Sequence, residues 1–212
     1  MIRLLIFSFF LLSNLAYSQG SETITLPTDD DGNVRFQQVV KLDSSESAKV
    51  ILGKARTWVG KAFNSASTVI QQYDPEQGIL IVKGLSKFTS PQATFYSGKT
   101  VRTTAPYKLL YTLTVDAKPG RYRSTVNGLV VEVDVPGGTQ TATALASTPP
   151  TIEESNNAFK SVRLSEKAKQ ENALLNVENK TNLLINARTQ VDNLLQHLEK
   201  SMRQASTKEK DW

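Results

Sequence analysis

The sequence predicts an α+β fold, a curved antiparallel β-sheet with helices packed on one face, on three observations. Residues 48–63 repeat apolar side chains at three-and-four spacing, two pairs of strand-like segments flank short turn-forming stretches, and residues 177–202 return to helical spacing. Strands joined by tight turns pair antiparallel, and two amphipathic helices can cover one sheet face. The order is strand, helix, four strands, helix.

Arg3, an apolar run from Leu4 to Leu12, and Ala16-Tyr17-Ser18 ahead of Gln19 have the three-part pattern of a secretory signal peptide over residues 1–18. The run is shorter than the ~20 apolar residues of a bilayer span, and no later stretch reads as transmembrane. Residues 19–32, polar and punctuated by Pro27 and Asp31-Gly32, read as a flexible arm. The folded domain is expected over 33–135 plus 177–205. Val34, Phe36, Val39 and Val40 suit its first strand, and Asp43-Ser44-Ser45-Glu46 supplies helix-capping chemistry. Ala48, Ile51, Leu52, Ala55, Val59, Ala62 and Phe63 then form one helical stripe, with Trp58 at its edge.

Two short strands, 68–73 and 79–85, flank the turn residues Asp74-Pro75-Glu76-Gln77-Gly78. Residues 86–100 show no clear period and read as a loop. Residues 107–116 and 121–134 form a second hairpin around Pro119-Gly120. Placing Lys118 opposite Arg121 puts Val115 against Ser124, Leu113 against Val126, Tyr111 against Gly128 and Leu109 against Val130 on one largely apolar face. Asp116 with Arg123, Thr114 with Thr125, Thr112 with Asn127 and Leu110 with Leu129 share the other. Tyr111 would then cover a strand glycine. Residues 136–176, Thr/Ala/Pro-rich at first, read as a polar linker and helical arm; residues 206–212 read as a charged tail. On the final helix Val177, Leu184, Val191, Leu195, Leu198 and Met202 make the buried stripe, opposite Lys180, Asn186, Asn193 and Lys200.

Twenty-five basic residues against twenty acidic ones give a net charge of +5, and loss of Arg3 with the leader lowers it to +4. The charges are interspersed, which argues against nucleic acid as a partner. The chain has no cysteine, so disulfides, thiolate zinc sites, thiol catalysis and lipid attachment through an N-terminal cysteine are excluded.

VRFQQVVKLDSSESAKVILGKARTWVGKAF, STVIQQYDPEQGILIVKG and YKLLYTLTVDAKPGRYRSTVNGLVVEV, with its GRYR turn, resemble a family of secreted domains of unknown function from Bacteroidetes with a TBP-like fold. The resemblance covers residues 33–135 plus the final helix. It implies the fold and export, and carries no catalytic residues to any position. The TBP analogy raises DNA binding, but fold does not carry function, and the expected polar face lacks dense Lys/Arg and the wedging aromatics of minor-groove binders.

Few residue groups point to chemistry. Ala93-Thr94-Phe95-Tyr96-Ser97-Gly98-Lys99-Thr100 fits a relaxed phosphate-loop pattern, but neither the strand before it nor the helix after it is predicted. His197, the one histidine, would have to serve as the base for any serine nucleophile, and no second histidine or cysteine could join it on a metal. Glu153-Glu154 and Asp29-Asp30-Asp31 lie in polar segments unsuited to a desolvated acid pair. No catalytic, cofactor-binding or metal-ligating set is therefore expected. Lys118, Arg121 and Arg123 cluster at the hairpin tip and could meet an anionic partner, although Asp116 faces Arg123. Lys108, Thr112, Arg121 and Arg123 mark the candidate binding face.

The expected role is a non-enzymatic binding or interaction module of the cell envelope, exported to the periplasm or exterior, with an envelope protein or small ligand as partner. The alternatives are a small-molecule or peptide carrier working around Lys108, Leu110 and Thr112, and a carboxylate-dependent envelope hydrolase, which needs two acids converging on the open face.

Overall fold

The computed structural model describes residues 24–63, 65–133 and 141–208. The leader, the start of the arm and the end of the tail lie outside them. The elements are β1 (Phe36–Lys41), α1 (Ala48–Ala62), α2 (Ala66–Val69), β2 (Ile70–Asp74), β3 (Ile79–Tyr96), β4 (Lys99–Lys118), β5 (Arg121–Val133), β6 (Thr141–Ala144), α3 (Ile152–Phe159) and α4 (Glu166–Lys208). The strands pair antiparallel in the order β1-β5-β4-β3-β2, and β6 also pairs with β5. Inward side chains such as Phe36, Leu80, Leu113 and Tyr122 share one core with Trp58 of α1 and Leu198 of α4. The fold is thus α+β, an open antiparallel sheet with its helices on one face.

Local chemistry sets the boundaries. Ser47, not the preceding Asp43–Glu46 stretch, caps α1 by accepting from the Val50 N–H, while Asp43 holds the loop before it through Ser45. Asp74 accepts from the amides of Glu76 and Gln77 in the β2–β3 turn. Pro119-Gly120, with Gly120 at φ +70, forms a type II turn between β4 and β5.

The second hairpin keeps the expected register from Lys118–Arg121 as far as Thr112–Asn127. Beyond that point Leu110 faces Val130 and Leu109 faces Val131, because Gly128, at φ +60, and Leu129 together oppose Tyr111 in a β-bulge. The extra residue turns Leu129 and Val131 into the core in place of Val130. Tyr111 does cover a strand glycine, but that glycine is Gly84 on β3, where a Cβ would lie 2.3 Å from the tyrosine ring.

Residues 86–100, expected as a loop, instead complete one long hairpin of β3 and β4. Ser97 and Gly98, both at positive φ, form the two-residue type I′ turn whose twist suits paired strands. Pro91 and Pro106 fit because their nitrogens lie on the outer edges of the ribbon, where no cross-strand donor is needed. Nor are residues 24–32 a free arm throughout. Leu26 is buried and its N–H donates to Ser147 O at 2.7 Å, and Thr28 bridges Val34.

The linker and helical arm expected over 136–176 are also corrected from Thr141 onward. β6 adds to β5, Thr151 and Glu154 form a reciprocal capping box on α3, and α3 packs on α4. The first turns of α4 lie against β3. Asn172 accepts from the Phe95 N–H at 2.9 Å and donates to Phe95 O at 3.1 Å; Asn179 does the same with Ala93 at 2.7 and 2.9 Å. One helical face later, Asn186 reaches Ser90 Oγ at 3.4 Å, so it lies against the strand and not on the solvent side. α4 continues to Lys208, into the expected tail.

Two outcomes follow. Gly84→Ala should cost about 1–3 kcal/mol in chemical denaturation, and less in a Tyr111→Leu background, because the added methyl meets that ring. Asn172→Ala and Asn179→Ala should each cost about 1–3 kcal/mol, and the double variant should self-associate through the bared edge of β3, seen by light scattering.

Candidate functional site

Because the helices cover one face of the sheet, the residues of alternate parity form a second face that no helix among the described residues covers. On it β1 contributes Gln37, Val39 and Lys41; β5 contributes Arg121, Arg123, Thr125 and Asn127; β4 contributes Lys108 and the even-numbered residues to Lys118; β3 contributes Ile81, Lys83, Leu85 and Lys87. Val39 is 57% exposed and Leu85 44%, so apolar patches sit among the cations.

All four candidate binding residues lie on this face, but they do not form one cluster. Arg121 and Arg123 sit at the hairpin tip. Thr112 is mid-face between Lys83 and Asn127, and Lys108 stands ten residues from Lys118 along β4, about 33 Å. Arg123 is engaged by Asp116, through Nε at 3.1 Å and a terminal nitrogen at 3.0 Å. Lys108 has Lys87 on one side in register and Glu132 on the other. Val39, Asp116, Lys118, Arg121 and Arg123 border a shallow recess of about 220 Å³ at the tip.

The acids of this face are separately committed. Asp74 serves the turn amides, Asp116 serves Arg123, and Glu132 lies about 26 Å along the sheet from Asp116, far beyond the ~5–9.5 Å of a glycosidase pair. Elsewhere, Glu154 accepts from the Thr151 amide and hydroxyl, and those bonds hold its carboxyl below the usual range. Nδ1 of His197 accepts from Trp58 Nε1 at 3.2 Å in a notch with Phe63, Leu85 and Tyr111. The phosphate-loop match falls at the β3–β4 turn, where Lys99 and Thr100 begin a strand in place of the helix such a loop requires. Among the described residues no group of three or more His, Cys, Asp or Glu could hold a metal ion, and no helix is long and apolar enough to cross a membrane.

A recess of about 720 Å³ lies behind the sheet between β3–β6, α3 and α4. Tyr107, Val131, Leu145 and Leu183 supply its apolar wall, and Gln92 and Asn176 are among its polar groups. Much of it is built by residues 141–158, which sequence patterning placed in a linker.

Residues 36–132 match the model of the domain of unknown function DUF4468, with TBP-like fold. This segment is similar to that family. The chain is also similar to the crystal structure of a TBP-like protein from Parabacteroides distasonis, at 12% identity and TM-score 0.48, over 83% of this chain and 96% of that one. Against a DUF4468 family protein from Bacteroides ovatus the values are 13% and 0.47, over 84% and 90%. No curated protein matches. The matched segment ends within β5, so α4, which closes the core, follows it.

The buried wall of the sheet holds a group that sequence reading passed over. The Tyr122 hydroxyl is enclosed without a hydrogen-bond partner among the described residues, and burial, then the Glu199 carboxylate, push its ionisation well above the ordinary tyrosine range, against a smaller opposing effect of Arg203. A raised tyrosine stabilises the fold fully below the unfolded value of ~10 and loses that contribution as pH climbs through the folded value. Tyr122→Phe should therefore leave stability at neutral pH unchanged or up to ~1 kcal/mol higher, and flatten its decline above pH ~10, measured as Tm against pH.

Proposed function

We propose that this protein is exported and acts as a non-catalytic binding module of the cell envelope, meeting its partner through the uncovered sheet face that bears Lys108, Thr112, Arg121 and Arg123. One observation carries the reading: a sheet sealed on one side by helices presents, on the other, exposed Val39 and Leu85 among basic side chains. Exposed apolar groups ringed by polar ones mark interaction surfaces. The leader pattern of residues 1–18 supports delivery to the envelope. The engaged carboxylates of the open face count against the hydrolase alternative.

The test is crosslinking mass spectrometry on the native envelope with the tagged protein, beside a Val39→Glu/Leu85→Glu variant, whose substitutions fall at exposed positions. A recurrent partner should be lost with the variant, and the recovered protein should begin at Gln19. Equal recovery of every partner by both proteins, or turnover of an envelope polymer abolished by one carboxylate substitution, would overturn the reading.

The 720 Å³ recess supports a second reading, a small-molecule carrier, since ligand cavities commonly measure ~300–1,000 Å³ with an apolar wall and few polar groups. Leu183→Trp, which would fill that space, should abolish retention of a co-purifying small molecule seen by mass spectrometry if this reading holds.

A further inference from the structure

Across the hairpin tip, Lys41 of β1 lies in register with Arg121 of β5, and Arg121 in register with Lys118 of β4. The three cations share the uncovered face, each exposed, in one rung across three adjacent strands. Strand spacing of ~4.8 Å places their backbones within about 10 Å. Like charges directly opposite one another destabilise a sheet, and here two such juxtapositions share the central arginine. No acidic partner is seen for any of the three among the described residues. The nearest carboxylate on the face, Asp116, is held by Arg123 one rung away. At the other end of the face Lys108 also has a like charge opposite it, Lys87, but there the rung continues to an acid, Glu132.

Lys118 and Arg121 of the rung line the 220 Å³ recess, together with the exposed Val39 and the Arg123–Asp116 pair, and Lys41 stands beside it in register with Arg121. Behind it, Arg203, itself paired with Glu199, donates to Lys41 O at 3.2 Å and holds the end of β1 in place. Resting on the open face as the binding face, and naming the chemistry it takes there, we propose that the Lys41–Arg121–Lys118 rung is a site for a phosphoryl group. A tetrahedral dianion is the class that fits. The planar fork of Arg121 can hold two of its oxygens while two ammonium groups from the flanking strands neutralise the remaining charge, whereas a monocarboxylate would leave two cations facing each other. Val39 supplies an apolar contact beside the site for whatever the phosphoryl group is attached to.

The probe is inorganic phosphate on the full mature chain, with sodium chloride and acetate at equal ionic strength as controls. Phosphate should raise Tm and bind in calorimetry, while acetate and chloride should not. Lys118→Gln/Arg121→Gln should raise Tm in chloride, since it removes the repulsion, and should weaken phosphate binding at least about tenfold. An equal effect of phosphate, acetate and chloride, a lower Tm for the variant in chloride, or an unchanged phosphate affinity would each overturn the site. Vesicles of phosphatidylcholine with and without phosphatidic acid then separate the sources. Sedimentation only with phosphatidic acid, lost in the variant, assigns a lipid headgroup, whereas phosphate binding without sedimentation assigns a soluble phosphorylated ligand, and both uphold the site. Phosphate binding together with a Val39→Glu/Leu85→Glu variant that keeps every envelope partner would uphold the site and remove the envelope-module reading. The reverse pattern would do the opposite.

Discussion

The outer edge of β3 is the constraint on which the rest of the molecule depends. β2 reaches only as far as Val82 in its pairing, so from there to Tyr96 the strand has β4 on one side and, among the described residues, no strand on the other. Main-chain donors and acceptors on such an edge must be hydrated, paired or capped by side chains. Asn172 and Asn179, seven residues apart on α4, pair with Phe95 and Ala93, two residues apart on β3, so that each amide occupies the place of a neighbouring strand's peptide group. This geometry sets the length of the helix. Forty-three helical residues extend about 64 Å and eighteen strand residues about 60 Å, so one helix can follow the edge and still cross the core to β1, where Glu199 meets Gln38 and Arg203 meets Lys41.

A helix that begins on an edge and ends on a face must change the side it buries. Asparagines repeat at 172, 179, 186 and 193, and a strict seven-residue row drifts ~20° per repeat around a straight helix. Asn172 and Asn179 therefore meet the strand, Asn186 only grazes it, and Asn193 is exposed. The apolar row 184, 187, 191, 195, 198 and 202 takes over where the asparagines leave. With α1 beside it, α4 fills the inner face of the sheet.

Local chemistry made much of this legible in sequence. The hairpin register was readable from Lys118–Arg121 to Thr112–Asn127 because turn length fixes pairing near the turn, and it was lost where Gly128 adds a residue. A glycine in a strand can signal either a bulge or a hole for an aromatic ring. Here those roles fall to Gly128 and Gly84. The outer half of the β3–β4 ribbon carries no strand period in sequence, because residues 99–104 are exposed on both faces and Ser90 and Ala93 are buried only by the distant α4, while Pro91 reads as a breaker unless its outward parity is known. Asn186 reads as solvent-facing when one apolar stripe is extended over the whole of α4, whereas the buried side of that helix turns. Of the candidate face, membership was legible from strand parity. The grouping of Lys41 with Arg121 and Lys118 was not, since it needs the pairing of β1, at the start of the domain, with β5 at its end.

That long-range pairing also holds the tip in place. The Gly120 N–H donates to Glu46 O at 2.9 Å, the Leu42 N–H donates to Gly120 O at 2.8 Å, and a Cβ at Gly120 would lie 3.0 Å from Ser44 Cα. Glu46 in turn pairs with Lys54 of α1 at 3.0 Å, with both side chains only 10% exposed, a pair whose disruption would strand a buried charge. The turn is thereby tied to the β1–α1 connection and, through it, to the first helix. Three like charges on a loose hairpin would separate by opening the strands. On this one the backbone is held from behind, so only side-chain rotation can relieve the repulsion, and the positive charge stays concentrated on the uncovered face, where an anion would find it already assembled.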